Sequence, residues 1–208
     1  MSQEPEHRKY IEKTIFTENQ VKQALKKKAR EIVDFYITKK VHEVILVPIL
    51  TGGSFVADEL KREMLYYLRH KINTNSNCRH YLEFKYDPIT LSSRGISTKQ
   101  PSCPSLVRIE KDVKIDPRGC HVLLIDDIAD TATSLTFMKR LTELRNALSV
   151  MTFVMIDRPI YYDREINIDF SMFTYLEEGW LVGMGMDWND RFRTLPDIRE
   201  VKKEYCTE

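Results

Sequence analysis

One stretch of the sequence, residues 121–135, constrains the fold more than any other. Residues 122–125 are apolar at every position, which is typical of a central parallel strand covered by helices on both faces. Three aspartates follow, and a run of small and hydroxyl residues over 131–134 then resembles the first turn of a helix. The pattern therefore predicts a strand, a tight acidic turn and a helix start, in that order.

The same stretch carries the chemistry that a phosphorylated sugar requires. Asp126, Asp127 and Asp130 collect carboxylates at the end of the strand, where they can bind sugar hydroxyls or a metal ion. Free backbone N–H groups at a helix start attract phosphate. An aspartate pair after a strand is by itself more often a turn or a helix cap. The adjoining hydroxyl-rich helix start favours the sugar-phosphate site.

Composition limits the class of protein. The chain has 208 residues, which predicts a single domain over 1–208. It is 42% hydrophobic and 30% charged, as an ordinary globular protein is. A formal net charge of +1 argues against a chain that coats nucleic acid or an anionic membrane. We therefore expect neither nucleic acid nor a membrane as a partner.

The cysteines and the first residues predict a cytoplasmic protein. The four cysteines are widely spaced and include no Cys-x-x-Cys, so we expect reduced thiols rather than disulfides or zinc. The first ten residues are polar and charged, which is unlike a signal peptide. The longest apolar run, residues 44–50, contains Pro48 and is too short to span a bilayer.

Strand and helix patterns alternate along the chain. A capping box at Thr17 and Gln20 predicts the start of a helix. Residues 51–54 form a predicted turn, and Ser54 caps a helix expected over 55–68. Another helix is expected over 133–148, and strands are expected over 41–50, 81–86, 150–156, 172–176 and 180–185. This alternation predicts an α/β domain with a largely parallel sheet.

Residues 87–119 give no clear helix or strand pattern. They contain four prolines and many serines and threonines. A stretch of this length inside a compact domain is usually a lid, a binding loop or disorder. A mobile lid suits a reaction that must exclude water, whereas the composition alone fits disorder equally well.

Three segments, residues 50–53, 126–135 and 180–193, follow one another along the chain. In this order they resemble the first loop, the phosphoribosyl pyrophosphate signature and the purine-binding end of the type I purine phosphoribosyltransferases. The resemblance extends over about residues 16–201 and is strongest to the hypoxanthine-guanine branch. It implies the type I fold, a central and mostly parallel sheet flanked by helices, with a small hood built from chain-terminal segments.

The resemblance implies roles for the sugar-phosphate half of a site. Asp126 and Asp127 match the acidic pair that holds the ribose hydroxyls, directly or through Mg²⁺. Asp130 matches the general acid/base near N7 of the purine. The cradle for the 5-phosphate is matched by Thr131, Ala132, Thr133, Ser134 and Leu135, and the backbone that contacts pyrophosphate is matched by Thr51 and Gly52.

The resemblance also implies roles for the base and pyrophosphate half. Trp180 matches the aromatic residue that stacks on the purine, and Leu181 offers the neighbouring main-chain contact. Asp187 matches a ligand of a second metal ion beside the purine, and Arg193 a pyrophosphate ligand. Arg158 aligns with the lysine that reads the 6-oxo group of the base. For Arg158, base contact and a structural cation are equally supported alternatives.

The sequence departs from the family pattern at four points. Thr51 stands where a lysine is common, and Arg158 replaces the base-selecting lysine. Ala132 replaces a glycine of the phosphate loop, which is acceptable only if the backbone does not need a positive φ. The Ser-Tyr pair of the family's mobile loop has no assignable match after residues 81–86.

Taken as a whole, the resemblance implies a Mg²⁺-dependent transferase acting as a homodimer or homotetramer. It would join hypoxanthine or guanine to phosphoribosyl pyrophosphate and release IMP or GMP and pyrophosphate. The alternative is a catalytically weak or silent relative that binds nucleotide for regulation, motivated by Thr51, Arg158 and the unmatched mobile loop. An RNA-binding regulator of the same fold gains little support from a near-neutral charge.

Overall fold

The computed structural model describes residues 7–74, 81–94, 106–159 and 164–206. Its helices are α1 (His7–Tyr10), α2 (Glu18–Thr38), α3 (Gly52–Thr74) and α4 (Thr133–Leu144), with a 3₁₀ turn at Lys203–Tyr205. Its strands are β1 (Ile11–Phe16), β2 (Glu43–Leu50), β3 (Glu83–Tyr86), β4 (Ile89–Arg94), β5 (Leu106–Lys111), β6 (His121–Ala129), β7 (Ser149–Asp157), β8 (Phe170–Thr174), β9 (Trp180–Val182) and β10 (Ile198–Val201). Among the described helices, none has the length and apolar character needed to cross a membrane.

Strands β2 and β6 form the centre of the main sheet. The strand order is β5-β4-β2-β6-β7-β8, and β3 also pairs with β2. All of these pairs are parallel except β4 with β5. On one side, β2 pairs with β3 along residues 43–46 and with β4 at residues 49–50. The prediction of an α/β domain with a mostly parallel sheet is confirmed.

Helices cover both faces of this sheet because its central strands are apolar on both faces. Val44 and Leu46 of β2 belong to a buried cluster that includes residues of α2 and α3. Ile45 and Val47 belong to a second cluster, which includes residues of α4. Successive side chains of a strand point to opposite faces, so one apolar run supplies both cores.

The helix ends test the local predictions. The capping box of α2 is present, since the Thr17 hydroxyl accepts from the Gln20 backbone N–H and the Gln20 side chain accepts from that of Thr17. The prediction that Ser54 caps α3 was wrong, because α3 already begins at Gly52. The Ser54 hydroxyl instead donates to the carbonyl of Thr51 at 2.6 Å. Helix α4 ends at Leu144, earlier than the predicted end at 148. Asn146, two residues beyond the helix, adopts the left-handed conformation with φ 63°.

The stretch 87–119 contains two strands that the sequence pattern did not predict. Strands β4 and β5 form an antiparallel ladder, so the expectation of a segment without regular structure was wrong for residues 89–94 and 106–111. The buried carboxylate of Asp87 accepts from the backbone N–H groups of Lys114 and Ile115, at 2.6 and 2.7 Å, and fixes the base of this hairpin. Residues 95–105 lie outside the described residues, and the lid stays a prediction.

A second sheet joins the two ends of the chain. It has the order β1-β10-β9, and both of its pairs are antiparallel. Strand β9 begins at Trp180, the residue expected to stack on a purine. We interpret this sheet as the small hood, because it is built from chain-terminal segments and carries the predicted base-binding residues.

Candidate active site

The acidic pair lies where two central strands end side by side. Strands β2 and β6 are parallel neighbours, so their C-terminal ends share one edge of the sheet, which is where ligands bind in such folds. Asp126 and Asp127 lie inside β6, which continues to Ala129. The predicted turn at the acidic pair was therefore placed too early, and the chain leaves the strand only at Asp130.

The first loop packs directly on the acidic pair. A Cβ atom on Gly52 would lie 1.7 Å from Oδ2 of Asp127, and one on Gly53 would lie 2.7 Å from the carbonyl oxygen of Ile125. Only glycine permits this approach of the α3 N-terminus to β6. The peptide bond between Leu50 and Thr51, at the start of this loop, is cis. The glycines thus bring the predicted pyrophosphate loop onto the predicted ribose-binding carboxylates.

Burial dominates the electrostatics of the pair. Burial and then repulsion from Asp127 raise the pKa of Asp126 well above its usual range. Burial also raises the pKa of Asp127, while the charge of Arg193 acts in the opposite direction. Two adjacent carboxylates in such a site ionise together only with a nearby cation.

A divalent cation fits this donor set only with help from a substrate. Carboxylate oxygens are ligands that Mg²⁺ prefers, and Mg²⁺ commonly uses one or two of them with water and substrate phosphates completing its shell. Within the described ranges, no three His, Cys, Asp or Glu side chains cluster as a metal site. Asp126 and Asp127 can therefore hold a metal ion together with substrate oxygens, rather than as a closed protein site.

The N-terminus of α4 borders a cavity beside the acidic pair. The cavity has a volume of about 190 Å³ and is lined by Asp126, Ile128, Asp130, Thr131, Ala132, Thr133, Ser134 and Leu135. The hydroxyl oxygens of Thr131 and Thr133 lie 2.9 Å apart. The side chain of Leu135 is buried, so a ligand could meet this residue only through its backbone N–H. The structure thus brings all five predicted cradle residues to one cavity.

Ala132 has a positive φ, so the condition under which alanine would replace the family's glycine without strain is not met. Ala132 precedes α4 with φ 55° and ψ 24°, in the left-handed region. For a residue with a Cβ this conformation costs about 1–2 kcal/mol relative to the right-handed one. The loop therefore keeps the geometry that a glycine would favour, although this chain has alanine there.

Asp130 lies between the cavity and two arginines. Burial raises the pKa of its carboxyl group, and the charges of Arg158 and Arg164 oppose that rise. Its Oδ1 atom lies 3.3 Å from Nε of Arg158. The side chain is 42% exposed, so it is open to a ligand in the cavity.

Arg158 is buried and points its guanidinium at the backbone of another loop. Its Nη1 and Nη2 atoms donate to the carbonyls of Gly179 and Glu177, at 3.0 and 2.9 Å. The guanidinium also lies over the ring of Tyr175, 5.6 Å from its centroid. These contacts tie the loop before Trp180 to Asp130 and favour the structural-cation alternative. Reading of the 6-oxo group by Arg158 stays a prediction.

Four of the predicted base and pyrophosphate residues, Trp180, Leu181, Asp187 and Arg193, come from one segment folded against the first loop. Trp180 is 51% exposed, and its indole N–H donates to the carbonyl of Asp187 at 2.5 Å. Nη2 of Arg193 lies 2.8 Å from Oδ1 of Asp187. Arg193 also donates to the carbonyl of Gly185 at 2.8 Å. Leu181 is buried and pairs with Glu200 of β10, so its predicted main-chain contact with the base stays a prediction.

Gly185 connects this segment to the first loop. It has φ 105°, and a Cβ atom there would lie 2.2 Å from the carbonyl oxygen of Gly52. Gly52 in turn packs on Asp127, where burial raises the pKa of the carboxyl group and the charge of Arg193 partly opposes that rise. The three segments that are distant in sequence thus meet at one edge of the main sheet.

Two features of this region had no signal in the sequence analysis. Arg164 donates from Nε to the carbonyl of Asp130 at 2.8 Å, and its neighbouring residues show no pattern that would single it out. The ring of Tyr10 packs against Trp188 and Phe192 of the segment 180–193, with centroids 5.3 and 6.1 Å away. Only the pairing of the two chain ends brings Tyr10 there.

Known proteins are similar to this chain in both sequence and fold. Residues 13–189 match the family model of the phosphoribosyl transferase domain. The hypoxanthine-guanine phosphoribosyltransferase of Dictyostelium discoideum is 30% identical over 190 residues, which cover 91% of this chain and 95% of that protein. Its counterpart from Streptococcus pneumoniae strain R6 is 30% identical over 195 residues, covering 93% and 95%.

Solved structures agree at the level of the fold. The hypoxanthine phosphoribosyltransferase of Trypanosoma cruzi, in complex with the product IMP, superposes with a TM-score of 0.79 at 24% identity and covers 97% of this chain and 98% of that one. A hypoxanthine phosphoribosyltransferase from Staphylococcus aureus gives a TM-score of 0.81 at 20% identity over 100% of both chains. The chain has the type I fold and belongs to the phosphoribosyltransferase family, within its hypoxanthine-guanine branch.

Proposed function

We propose that this protein is a purine salvage enzyme that joins hypoxanthine or guanine to phosphoribosyl pyrophosphate, giving IMP or GMP and pyrophosphate. One observation carries the proposal: Gly52, Asp127 and Gly185, from three distant segments, pack together beside a helix N-terminus. That arrangement supports a polyanion site beside the carboxylates, with the exposed Trp180 in the same segment as Gly185. The named relatives support 6-oxopurines as the bases.

The acidic pair and the α4 N-terminus would bind the sugar phosphate. Asp126 and Asp127 would hold the ribose hydroxyls or Mg²⁺, and their shared burial favours a bound cation. When bound, Mg²⁺ would offset negative charge on the pyrophosphate leaving group. The 5-phosphate would lie in the cavity of residues 131–135, where the helix start offers backbone N–H groups and hydroxyls.

Asp130 would handle the proton of the purine. The displacement at C1 of the sugar builds positive charge on the base, and a carboxyl group near N7 can accept or return its proton. Burial raises the pKa of Asp130, which brings its proton affinity closer to that of the group it serves. No covalent intermediate is required, because the departing pyrophosphate is stabilised by cations.

The segment 180–193 would bind the base and the leaving group. The exposed face of Trp180 suits a flat purine, and the main chain of Leu181 offers the edge contact. Arg193 and the backbone of Thr51 and Gly52 would contact pyrophosphate. Asp187 already pairs with Arg193, so a second metal ion there would share its carboxylate with that arginine.

The decisive experiment supplies a panel of bases with Mg²⁺ and phosphoribosyl pyrophosphate. We expect nucleotide formation from hypoxanthine and guanine, much slower formation from adenine, and loss of turnover when EDTA removes Mg²⁺. Comparison with xanthine then defines the base range that accompanies Arg158. No turnover with any 6-oxopurine would refute the enzyme and support the regulatory, nucleotide-binding alternative.

We also propose a homodimer or homotetramer, as the family resemblance implies. Light scattering coupled to size-exclusion chromatography gives the mass of the particle directly. One chain has a mass of 24.6 kDa, so we expect two or four times this value. A particle with the mass of one chain at micromolar concentration would contradict the proposal.

A further inference from the structure

The end of strand β6 needs a partner that the sheet does not supply. The ladder between β6 and β7 closes with the pair Ala129 and Asp157, and the carbonyl of Ala129 accepts from the backbone N–H of Arg158 at 3.0 Å. After Ala129 the chain leaves the sheet for the phosphate cavity. The next carbonyl, that of Asp130, lies beyond the last pair of the ladder. A side-chain donor takes the place of a strand there.

Arg164 provides that side chain. Its Nε atom donates to the carbonyl of Asp130 at 2.8 Å, and its Nη2 atom donates to that of Ala129 at 2.5 Å. Its Nη1 atom donates to the carboxylate of Asp157. The side chain of Arg164 is only 10% exposed. A guanidinium holds its N–H groups in one rigid plane, so these bonds fix the two carbonyls relative to β7.

The two carbonyls lie at the entrance to the cradle. Asp130 carries the proposed acid/base carboxyl group, and Ala132 holds the left-handed turn that begins α4 two residues later. A displacement of the backbone at Asp130 would move both the carboxyl group and the turn at Ala132, because the direction of a side chain follows its backbone. Small displacements of a catalytic group reduce rates strongly.

We propose that Arg164 is a positioning residue, which extends the β6–β7 ladder by one residue and so holds Asp130 and the phosphate cradle in place. It contacts backbone and Asp157 rather than substrate. The inference rests on the proposed function for its kinetic consequences. Its structural core, the order of residues 130–135, can be measured without any reaction.

The kinetic arm compares Arg164→Ala with Arg140→Ala. Arg140 pairs with Glu165 at 2.8 Å, and both side chains are more than half exposed, so its removal deletes a nearby guanidinium without touching β6. We expect Arg164→Ala to raise KM for phosphoribosyl pyrophosphate and lower kcat, each at least about tenfold, with KM for hypoxanthine within about twofold. Arg140→Ala should stay within about twofold of the wild type throughout.

Chemical rescue separates positioning from general loss of structure. Added methylguanidine should restore part of the activity of Arg164→Ala, because that variant leaves a guanidinium-sized cavity beside the acceptors of Ala129, Asp130 and Asp157. It should not change the activity of Arg140→Ala. Arg164→Lys keeps the charge but lacks the planar fork. We expect it to fold in any case and to show an intermediate defect.

Amide hydrogen exchange provides a readout that is independent of turnover. In the substrate-free protein, residues 130–136 should exchange faster in Arg164→Ala, or in Arg164→Lys if the alanine variant does not fold, than in the wild type and Arg140→Ala. Equal exchange and equal KM values in the Arg164 and Arg140 variants would overturn the proposal. A wild type without turnover would refute the proposed function, while the exchange comparison would still decide the role of Arg164.

Discussion

At the scale of single residues, Ala132 combines a residue type that has a Cβ atom with a left-handed backbone conformation that favours glycine. Its φ of 55° costs an alanine about 1–2 kcal/mol, whereas glycine adopts this region freely but has more unfolded-state freedom to lose. We expect Ala132→Gly to raise the free energy of unfolding by up to about 1 kcal/mol, measured by urea denaturation.

Ala147→Gly is the matched control for Ala132→Gly. Ala147 follows α4 and is not among the described residues with a positive φ, so glycine there should lower the free energy of unfolding by about 0.5–1 kcal/mol. Equal destabilisation by the two substitutions would contradict the left-handed conformation of Ala132.

Tyr36 is a second residue with an unfavourable feature, a buried hydroxyl group without a hydrogen bond among the described residues. The residue is 1% exposed, burial raises the pKa of its hydroxyl group, and that hydroxyl has no hydrogen-bond partner among the described residues. Removing an unsatisfied polar atom relieves a desolvation cost of about 1–3 kcal/mol, part of which the small gap left behind offsets. We therefore expect Tyr36→Phe to leave the free energy of unfolding unchanged or to increase it by about 1 kcal/mol.

Tyr67→Phe is the comparison for Tyr36→Phe. The Tyr67 hydroxyl donates to the carboxylate of Asp34 at 3.1 Å, so its loss should destabilise the protein by about 0.5–1.5 kcal/mol. Thermal or urea unfolding of both variants provides the measurement. If Tyr36→Phe proved the more destabilising of the two, its hydroxyl group would have a partner after all.

At the scale of helices and strands, predictions held where the signal was local. The capping box at Thr17 predicted the start of α2, and the strand predicted over 41–50 contains the whole of β2. Strands β4 and β5 were missed because the prolines, serines and threonines of residues 87–119 indicate a loop rather than strands. The start of α3 was misplaced, because it depends on the packing of Gly52 against Asp127.

The loop that carries Arg193 gives a prediction about elements rather than single contacts. Asn189, Asp190 and Phe192 all have positive φ values, and the ring of Tyr10 packs on Trp188 from the other end of the chain. We expect this ring packing to hold the loop in its unusual conformation.

Tyr10→Ala should therefore weaken product inhibition by pyrophosphate about three- to tenfold, as a loss of one aromatic contact predicts, with KM for hypoxanthine nearly unchanged. Tyr10→Phe keeps the ring and should behave as the wild type. Steady-state inhibition by pyrophosphate measures both variants. Wild-type inhibition in the alanine variant would show that α1 and β1 contribute nothing to the loop.

At the scale of the whole molecule, the sequence predicted the order of the three site segments along the chain but not the contacts between them. Parallel strands place their C-terminal ends at one edge, which explains why residues after β2 and in β6 meet. The approach of Gly185 to Gly52, the burial of Arg158 and the bridge by Arg164 depend on tertiary packing between loops. Sequence periodicity contains no information on such contacts.

The proposed function makes Asp130 central to catalysis, because Asp130 lines the cavity at the α4 N-terminus and contacts Arg158 and Arg164. The most direct measurement is the initial rate of IMP formation from hypoxanthine by the wild type and by Asp130→Asn, together with the affinity of each for phosphoribosyl pyrophosphate. We predict Mg²⁺-dependent turnover by the wild type, and a fall in kcat of at least about 100-fold in the variant with affinity within about threefold. Turnover by Asp130→Asn near the wild-type rate would contradict the acid/base role of Asp130.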